Sequence, residues 1–335
     1  MKKNIILMLV AITLILGSCN SDGNGIFFQI SQEVKQITSE ISELPVHQVV
    51  EVDSTVYART GSKVWVKSAS KWTDVSKGNH IYNIVEYNSS LYGNINNDDV
   101  NLNGGKIMSY DGSSWSLVTD YATDITLFEA DANYILLEGT TDILSSTSDL
   151  SSFVSSTLSG MNILDGAYNG TIGILISKNK IYESAFGVAM TEQTLIGDAT
   201  GELRGITIDT TNNFFYIINS SGDLFKSDVN GQNWVSVNSI SEHISYNGAL
   251  GNDIIDLTEY LIIGTDNGYY EMEIGFTTIS KPSATTSVLD FDTSYPELAT
   301  ELVFEVYPSS TANEFYLATS KGLWRRNTDG TFTKQ

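Results

Sequence analysis

Leu203-Arg-Gly-Ile-Thr-Ile-Asp209, Asn213-Phe-Phe-Tyr-Ile-Ile-Asn219, Gly222-Asp-Leu-Phe-Lys-Ser227 and Asn233-Trp-Val-Ser-Val237 follow one another with only short breaks. Each run is rich in β-branched and aromatic residues, and each break holds Gly, Asn, Asp or Ser. That alternation predicts four antiparallel strands joined by tight turns. The same order recurs as Val49-Val-Glu-Val52, Thr55-Val-Tyr-Ala58, Lys63-Val-Trp-Val66 and Lys71-Trp-Thr-Asp-Val75. Near the end it returns as Leu302-Val-Phe-Glu-Val306, Glu314-Phe-Tyr-Leu317, Gly322-Leu-Trp-Arg325 and Gly330-Thr-Phe-Thr333.

Aligned on the bulky residue of the third run, the units place Trp65, Met108, Leu144, Tyr182, Phe225, Tyr270 and Trp324 in equivalent positions, at intervals of 43, 36, 38, 43, 45 and 54 residues. A period near 40 with four strands per unit predicts an all-β fold, a seven-bladed β-propeller of four-stranded antiparallel blades over residues 45–335. An open sandwich does not need a four-strand cycle with recurring aromatic positions, and a β-helix has shorter coils. The first strands (Ile84-Val85, Ile125-Thr-Leu-Phe128, Ile254-Ile255) are the most apolar, as innermost strands covered on both faces should be. Polar fourth strands such as Ser114-Trp-Ser-Leu-Val118 suit an outer edge.

The chain begins with a different kind of segment. Lys2 and Lys3 precede an apolar run from Ile5 to Leu16, which ends in Gly17-Ser18-Cys19. A basic start and an apolar run too short for an ordinary membrane span make a secretion signal. The Leu16-Gly-Ser-Cys19 close resembles the lipobox of bacterial lipoproteins. That resemblance implies cleavage after residue 18, acylation of Cys19 with a diacylglycerol and an amide-linked acyl chain, and a lipid-anchored tether over residues 19–25. Two or more chains suffice for stable anchoring, each buried methylene contributing about 0.8 kcal/mol. Asn20 is not the Asp that retains enteric lipoproteins in the inner membrane, so by the same analogy the expected address is the bacterial cell envelope, on the outer membrane. Residues 26–44 combine a strand-like Ile26-Phe-Phe-Gln-Ile30 with Ile30, Val34, Ile37, Ile41 and Leu44 at helical spacing. They predict a closing strand followed by a short helix packed on the propeller. Two heptads are too few for a coiled-coil oligomer, and a monomer is expected.

The chain has 335 residues, of which 40 are acidic and 18 are Lys or Arg, for a net charge of −22. That balance repels phosphate backbones and excludes nucleic acid as a partner. Cys19 is the single cysteine. Once it is acylated, the fold has no disulfide to draw on and rests on burial and hydrogen bonding.

Ser227-Asp-Val-Asn-Gly-Gln-Asn-Trp234 resembles the Asp-box hairpin of sialidase-type and sortilin-type propellers. Ser227, Gly231 and Trp234 keep the spacing, and the acidic residue sits one place early at Asp228. Shortened relatives are Ser109-Tyr-Asp-Gly-Ser-Ser-Trp115 and Lys67-Ser-Ala-Ser-Lys-Trp72. The resemblance implies a fold-stabilising turn remote from any active centre. A sialidase activity would need three arginines converging on a carboxylate. The four present (Arg59, Arg204, Arg325, Arg326) fall on second, first and third strands. Asp99-Val-Asn-Leu-Asn-Gly104 offers Asp99, Asn101 and Asn103 as alternating oxygen ligands for Ca²⁺, but Tyr110 stands where the bidentate Glu belongs. The plainer reading is a turn, and no cofactor is expected beyond that weak Ca²⁺ candidate.

His47, His80 and His243 have no metal-ligand spacing. Ser68-Ala-Ser-Lys71 and Ser177-Lys-Asn-Lys180 read as hairpin residues, not nucleophiles. Residues 283–298, with Asp290, Asp292, Tyr295 and Pro296, form an insertion of the kind that carries function more often than short loops do. No catalytic constellation is legible, so the expected function is a membrane-anchored, non-enzymatic binding or scaffolding module for a protein or glycan partner. The alternative is a carbohydrate-active enzyme, a sialidase-like hydrolase or lyase, whose paired carboxylates would face one funnel.

Overall fold

The computed structural model describes residues 41–335, except 70, 97–103, 122–123, 132–133, 140–142, 147–153, 157–161, 186–190, 194–200, 210, 249, 256–257, 276–277 and 281–293; from 128 to 161, and at 184, 185 and 254, only the backbone is described. Cys19 with the signal segment and tether, the strand expected at residues 26–30, Asp99, Asn101, Asn103 and most of the 283–298 insertion therefore lie outside the described residues.

The strands form seven separate four-stranded antiparallel sheets, each built from four consecutive strands in sequence order. The fold is a β-propeller. Its sheets cover residues 48–74, 83–120, 125–156, 163–193, 203–239, 250–280 and 303–334. The first strand of each sheet touches the first strand of the next, and Gln48–Val52 of the first sheet touches Val303–Pro308 of the seventh. Local chemistry explains the meander. In the first two sheets, two-residue hairpins at Asp53-Ser54 and Asn88-Ser89 hold both residues at positive φ, between 47° and 62°. That is the turn whose twist matches paired strands, and short polar residues tolerate it.

The core lies between sheets. Val303, Val306, Phe315, Leu317 and Trp324 of the seventh sheet pack on Ile255, Ile262 and Tyr269 of the sixth. Likewise Tyr316, Ala318 and Leu323 pack on Val49, Val56, Ala58 and Trp72 of the first sheet. The aligned residues Trp65, Met108, Leu144, Tyr182, Phe225, Tyr270 and Trp324 each stand in the third strand of their own sheet. The fourth strands are the outer, wetter ones: Trp115–Asp120 leaves Leu117 and Val118 exposed, and Val235–Ser239 leaves Val235 exposed.

The seventh sheet takes its outermost strand, Phe332–Lys334, from the C-terminus, so all four of its strands come from residues 303–334. Where the helix was expected to end there is a single 3-10 turn, Ile41–Glu43. Its Ile41 is fully buried between the first and seventh sheets. Lys334 Nζ reaches Glu43 at 3.2 Å and Glu297 at 3.5 Å, and Val46 N–H donates to the Thr319 carbonyl at 2.9 Å. The Pro45 that follows this turn limits helix in this stretch, because the residue before a proline is pushed out of the α region.

Candidate functional site: the central channel

The inner strands surround a cavity of about 570 Å³. One edge of each inner strand pairs with its own sheet, while the other edge faces the axis. Its N–H groups must find partners there or lose about 1–3 kcal/mol each. The chain supplies them from side chains of the neighbouring sheet. Glu305 Oε2 accepts from Val49 N–H at 2.7 Å, Gln48 Oε1 from Ile84 N–H at 3.2 Å, and Asp165 Oδ2 from Ile206 N–H at 3.0 Å. Asn83 Nδ2 donates to the Leu127 carbonyl at 3.1 Å.

Where no such side chain stands, backbones close the gap directly. Gly205 takes the equivalent place in the fifth sheet, opposite Ile218, and in the sixth sheet Gly251, opposite Ile262, also approaches its neighbour closely. A Cβ on Gly205 would sit 2.8 Å from Leu250 Cβ, and one on Gly251 2.8 Å from Val306 Cγ1. Gly248 N–H then donates to the Arg204 carbonyl at 3.0 Å and Val306 N–H to the Gly248 carbonyl at 3.1 Å.

Three inner strands carry a β-bulge at the same position, between Ile163 and Asp165, Leu203 and Gly205, and Val303 and Glu305. A bulge re-aims the side chains beside it. These bulges bring Asp165 and Glu305 to the interblade position. Burial pushes the Asp165 carboxyl up to about 7, against the pull of N–H donation from Ile206 and Gly166. Glu305 keeps some exposure to the channel.

At one mouth, an aromatic group stands beside a cation. His47 and Phe304 rings lie 4.6 Å apart, and Tyr246 meets Phe304 edge-on at 4.5 Å. Tyr246 is 43% exposed. Arg59, directly opposite Gln48 in the ladder, donates through Nε to Gln48 Oε1 at 2.7 Å and through Nη1 to the Gly61 carbonyl at 2.6 Å. Burial draws the Arg59 guanidinium down to about 10, partly offset by the Glu305 charge. Burial and Arg59 together lower His47 below its ordinary value, so it is neutral at pH 7.

The other sequence-predicted residues sit away from this channel. Ser227 Oγ accepts from Phe215 N–H at 3.1 Å and donates to the Asp228 carbonyl at 2.7 Å. Asp228 accepts from the N–H groups of Asn230 at 2.8 Å and Gln232 at 3.0 Å, and from Asn233 Nδ2 at 2.7 Å. Gly231 has φ +68°, with no room for a Cβ against Ile174, and Trp234 is buried with Ile174 and Phe215. Asp111, in the shortened relative, accepts from Ser113 and Ser114, which holds it down at about 2.

Of the four arginines, Arg59 lines the channel. Arg204 pairs with Glu202, Arg325 with Glu314, and Arg326 donates to the Asn313 carbonyl. The structure also brings together His243, Ser245 and Asp266, which the sequence did not associate. Asp266 Oδ2 and Ser245 Oγ lie 3.0 Å and 3.3 Å from the same His243 nitrogen, Nδ1, and Ser245 Oγ donates to Asp266 at 2.8 Å. A nucleophile and an orienting acid must address opposite ring nitrogens, so this cluster is a turn lock. Among the described residues, no group of three His, Cys, Asp or Glu could hold a metal ion.

No protein-family model matches the chain, and no curated protein matches it in sequence. Solved structures do match in fold. An extracellular domain assigned to the one-component system BT4673 of B. thetaiotaomicron superposes with a TM-score of 0.63 at 15% identity, over 84% of this chain and 38% of that one. PorZ, a surface component of the type-IX secretion system of Porphyromonas gingivalis, gives 0.57 at 13% over 89% of this chain and 38% of PorZ. YCF48 from Cyanidioschyzon merolae gives 0.60 at 9%, over 85% of this chain and 95% of YCF48. This chain therefore spans well under half the length of the first two. At these identities the likeness is one of fold.

Proposed function

We propose that this chain is a cell-envelope lipoprotein whose seven-bladed propeller binds a protein or glycan without chemical turnover. Seven four-stranded sheets with touching inner strands support the blade count. The binding reading rests on one observation: the carboxylates that face the channel are engaged in joining blades, while an aromatic and amide rim beside them stays open. The envelope address rests on the first nineteen residues, with Cys19 as the acylated residue and the outer membrane as the favoured site. Two of the similar structures are an extracellular domain and a surface component. Replacing Cys19 by Ser should release the protein from the membrane fraction; if C19S still sediments with membranes, the anchor is wrong. A glycan array and a bead-coupled pulldown with the full chain test the module reading, and saturable capture of one glycan class or one protein is the expected result.

The second reading, a carbohydrate-active enzyme, draws on Asp165 and Glu305 sharing a channel with Arg59. Both carboxylates already accept backbone N–H groups, and a working pair must be free to exchange protons with substrate and water. Release of reducing sugar by the wild type that disappears in Asp165→Asn would reverse this preference.

A further inference from the structure

The guanidinium of Arg59 is an unusual group for this channel. The chain carries a large excess of acid, yet among the described residues no carboxylate comes within ion-pair distance of Arg59. Its hydrogen bonds go to two neutral oxygens, of Gln48 and Gly61, which use Nε and Nη1; among the described residues Nη2 has no partner. A partly desolvated guanidinium whose hydrogen bonds go only to neutral oxygens, with the Glu305 charge acting on it from outside ion-pair distance, keeps donors for an anion, since carboxylate binding to such a fork is charge-assisted.

Next to it lies an aromatic cluster of tilted and edge-on rings, of which Tyr246 is the exposed member. His47 N–H donates to the Arg59 carbonyl at 2.8 Å, which fixes the His47 backbone beside Arg59, and the His47, Phe304 and Tyr246 rings continue from there to the rim. His47 stays neutral and so adds a ring face, not a second cation. Gln48 Nε2, Asn83 Oδ1 and Asn247 Nδ2 line the same cavity, and among the described residues they have no hydrogen-bond partner. Spare amide donors and acceptors beside an aromatic face suit a polyhydroxylated ring. A peptide strand would instead need open backbone N–H groups, and those of Val49, Ile84 and Ile206 are already taken. A cavity of about 570 Å³ falls within the range of roughly 300–1,000 Å³ usual for small-molecule sites.

We infer that the channel mouth binds a carboxylate-bearing sugar, with the Arg59 guanidinium holding the carboxylate, the exposed Tyr246 ring, backed by Phe304, carrying the sugar face, and the Gln48, Asn83 and Asn247 amides meeting its hydroxyls. This rests on the glycan arm of the binding reading above.

Isothermal titration of the full chain in detergent, with D-glucuronate, D-galacturonate and D-glucose as probes, tests it. At least one uronate should bind, at least about tenfold more tightly than glucose, because a hydrogen bond to a charged group is the stronger kind. Arg59→Gln should erase that preference while the protein still unfolds in one cooperative transition. Arg59→Lys, which keeps the charge and loses the fork, should retain only part of it, and Tyr246→Ala should weaken uronate and glucose alike. Equal affinity for glucose and uronates, or a uronate affinity unchanged in both Arg59 variants, overturns the inference while leaving a glycan module in place. No heat with any of the three sugars also overturns it, and the pulldown then decides separately whether the chain is a binding module at all.

Discussion

Asp165 gives the most direct test of how the blades are joined. Its carboxyl accepts the N–H groups of Gly166 at 2.8 Å and, across the blade boundary, of Ile206 at 3.0 Å. Burial lifts its pKa from 3.8 to about 7. An acid raised in this way is protonated in the folded chain and ionised in the unfolded one between those two values. Folding then takes up a proton, and stability falls as pH rises through that window by up to about 1.4 kcal/mol per unit. Over the whole window the loss is about 4 kcal/mol as an upper bound, or roughly 10 °C in melting temperature for a domain of this size.

Asp165→Asn removes the titration but keeps the shape. Its amide can accept only one of the two N–H groups well, which costs on the order of 1–3 kcal/mol. The variant should therefore be less stable than wild type near about pH 4.5, with the gap closing or reversing by about pH 8. Chemical denaturation of both proteins at several pH values measures it. Taking the difference matters because His47, lowered by burial, loses stability in the opposite direction as pH falls, and Glu271, raised by burial, adds to the Asp165 trend. A wild-type-to-variant gap that stays constant from about pH 4.5 to 8 would refute the proton linkage at Asp165.

Trp234→Ala empties a buried site against Ile174 and Phe215 and should cost about 3–5 kcal/mol, read as a lower denaturation midpoint with an unchanged slope. Gly205→Ala sets a methyl against Leu250 of the next sheet, including its backbone N at 3.0 Å. Backbone yields less than a side-chain tip, so a loss of about 1–3 kcal/mol is expected, and a melting temperature equal to wild type would show that the sheets are not in contact there. Glu301 is fully buried and accepts from Trp324 Nε1 at 2.9 Å and from the Thr319 hydroxyl. Glu301→Ala leaves Trp324 Nε1 unpaired, while the Thr319 hydroxyl keeps the Gly322 carbonyl at 2.9 Å, and should cost about 1–3 kcal/mol, seen as earlier thermal loss of the near-ultraviolet tryptophan signal.

The sequence displays what happens within a blade far better than what happens between blades. Strand, turn and strand are neighbours in the chain, so Lys63–Ser68 with Trp65, or Asp223–Lys226 with Phe225, leaves a local imprint of apolar residues between turn formers. The innermost strands are legible for the same reason: Ile84, Val85, Ile125 and Ile255 are buried as their uninterrupted apolar character implies. The links that join blades connect positions 36, 41 or 256 residues apart, and no local period marks them. Arg59 was equally hidden. On a second strand it looked unable to reach a common centre with the other arginines, and the ladder opposite Gln48 is what turns it into the channel.

The three aligned bulges show why the channel was harder to read than the blades. A bulge shifts the alternation by one residue, so the period-two pattern that marks Val303–Pro308 as a strand assigns Glu305 to the wrong face. The apolar signal survives the shift, because both faces of an inner strand are covered. The polar signal does not, because a Glu among valines reads as a surface residue until the register is known. Glu305 and Asp165 sit after bulges and donate nothing, whereas Gln48 and Asn83 reach the same position from unbulged strands. Two of the three bulges therefore accompany the acidic members of the ring, and the third precedes Gly205. One consequence of the extra backbone residue is a second N–H near the carboxylate, as Gly166 supplies for Asp165 at 2.8 Å, and a buried carboxylate needs more than one donor where a neutral amide does not.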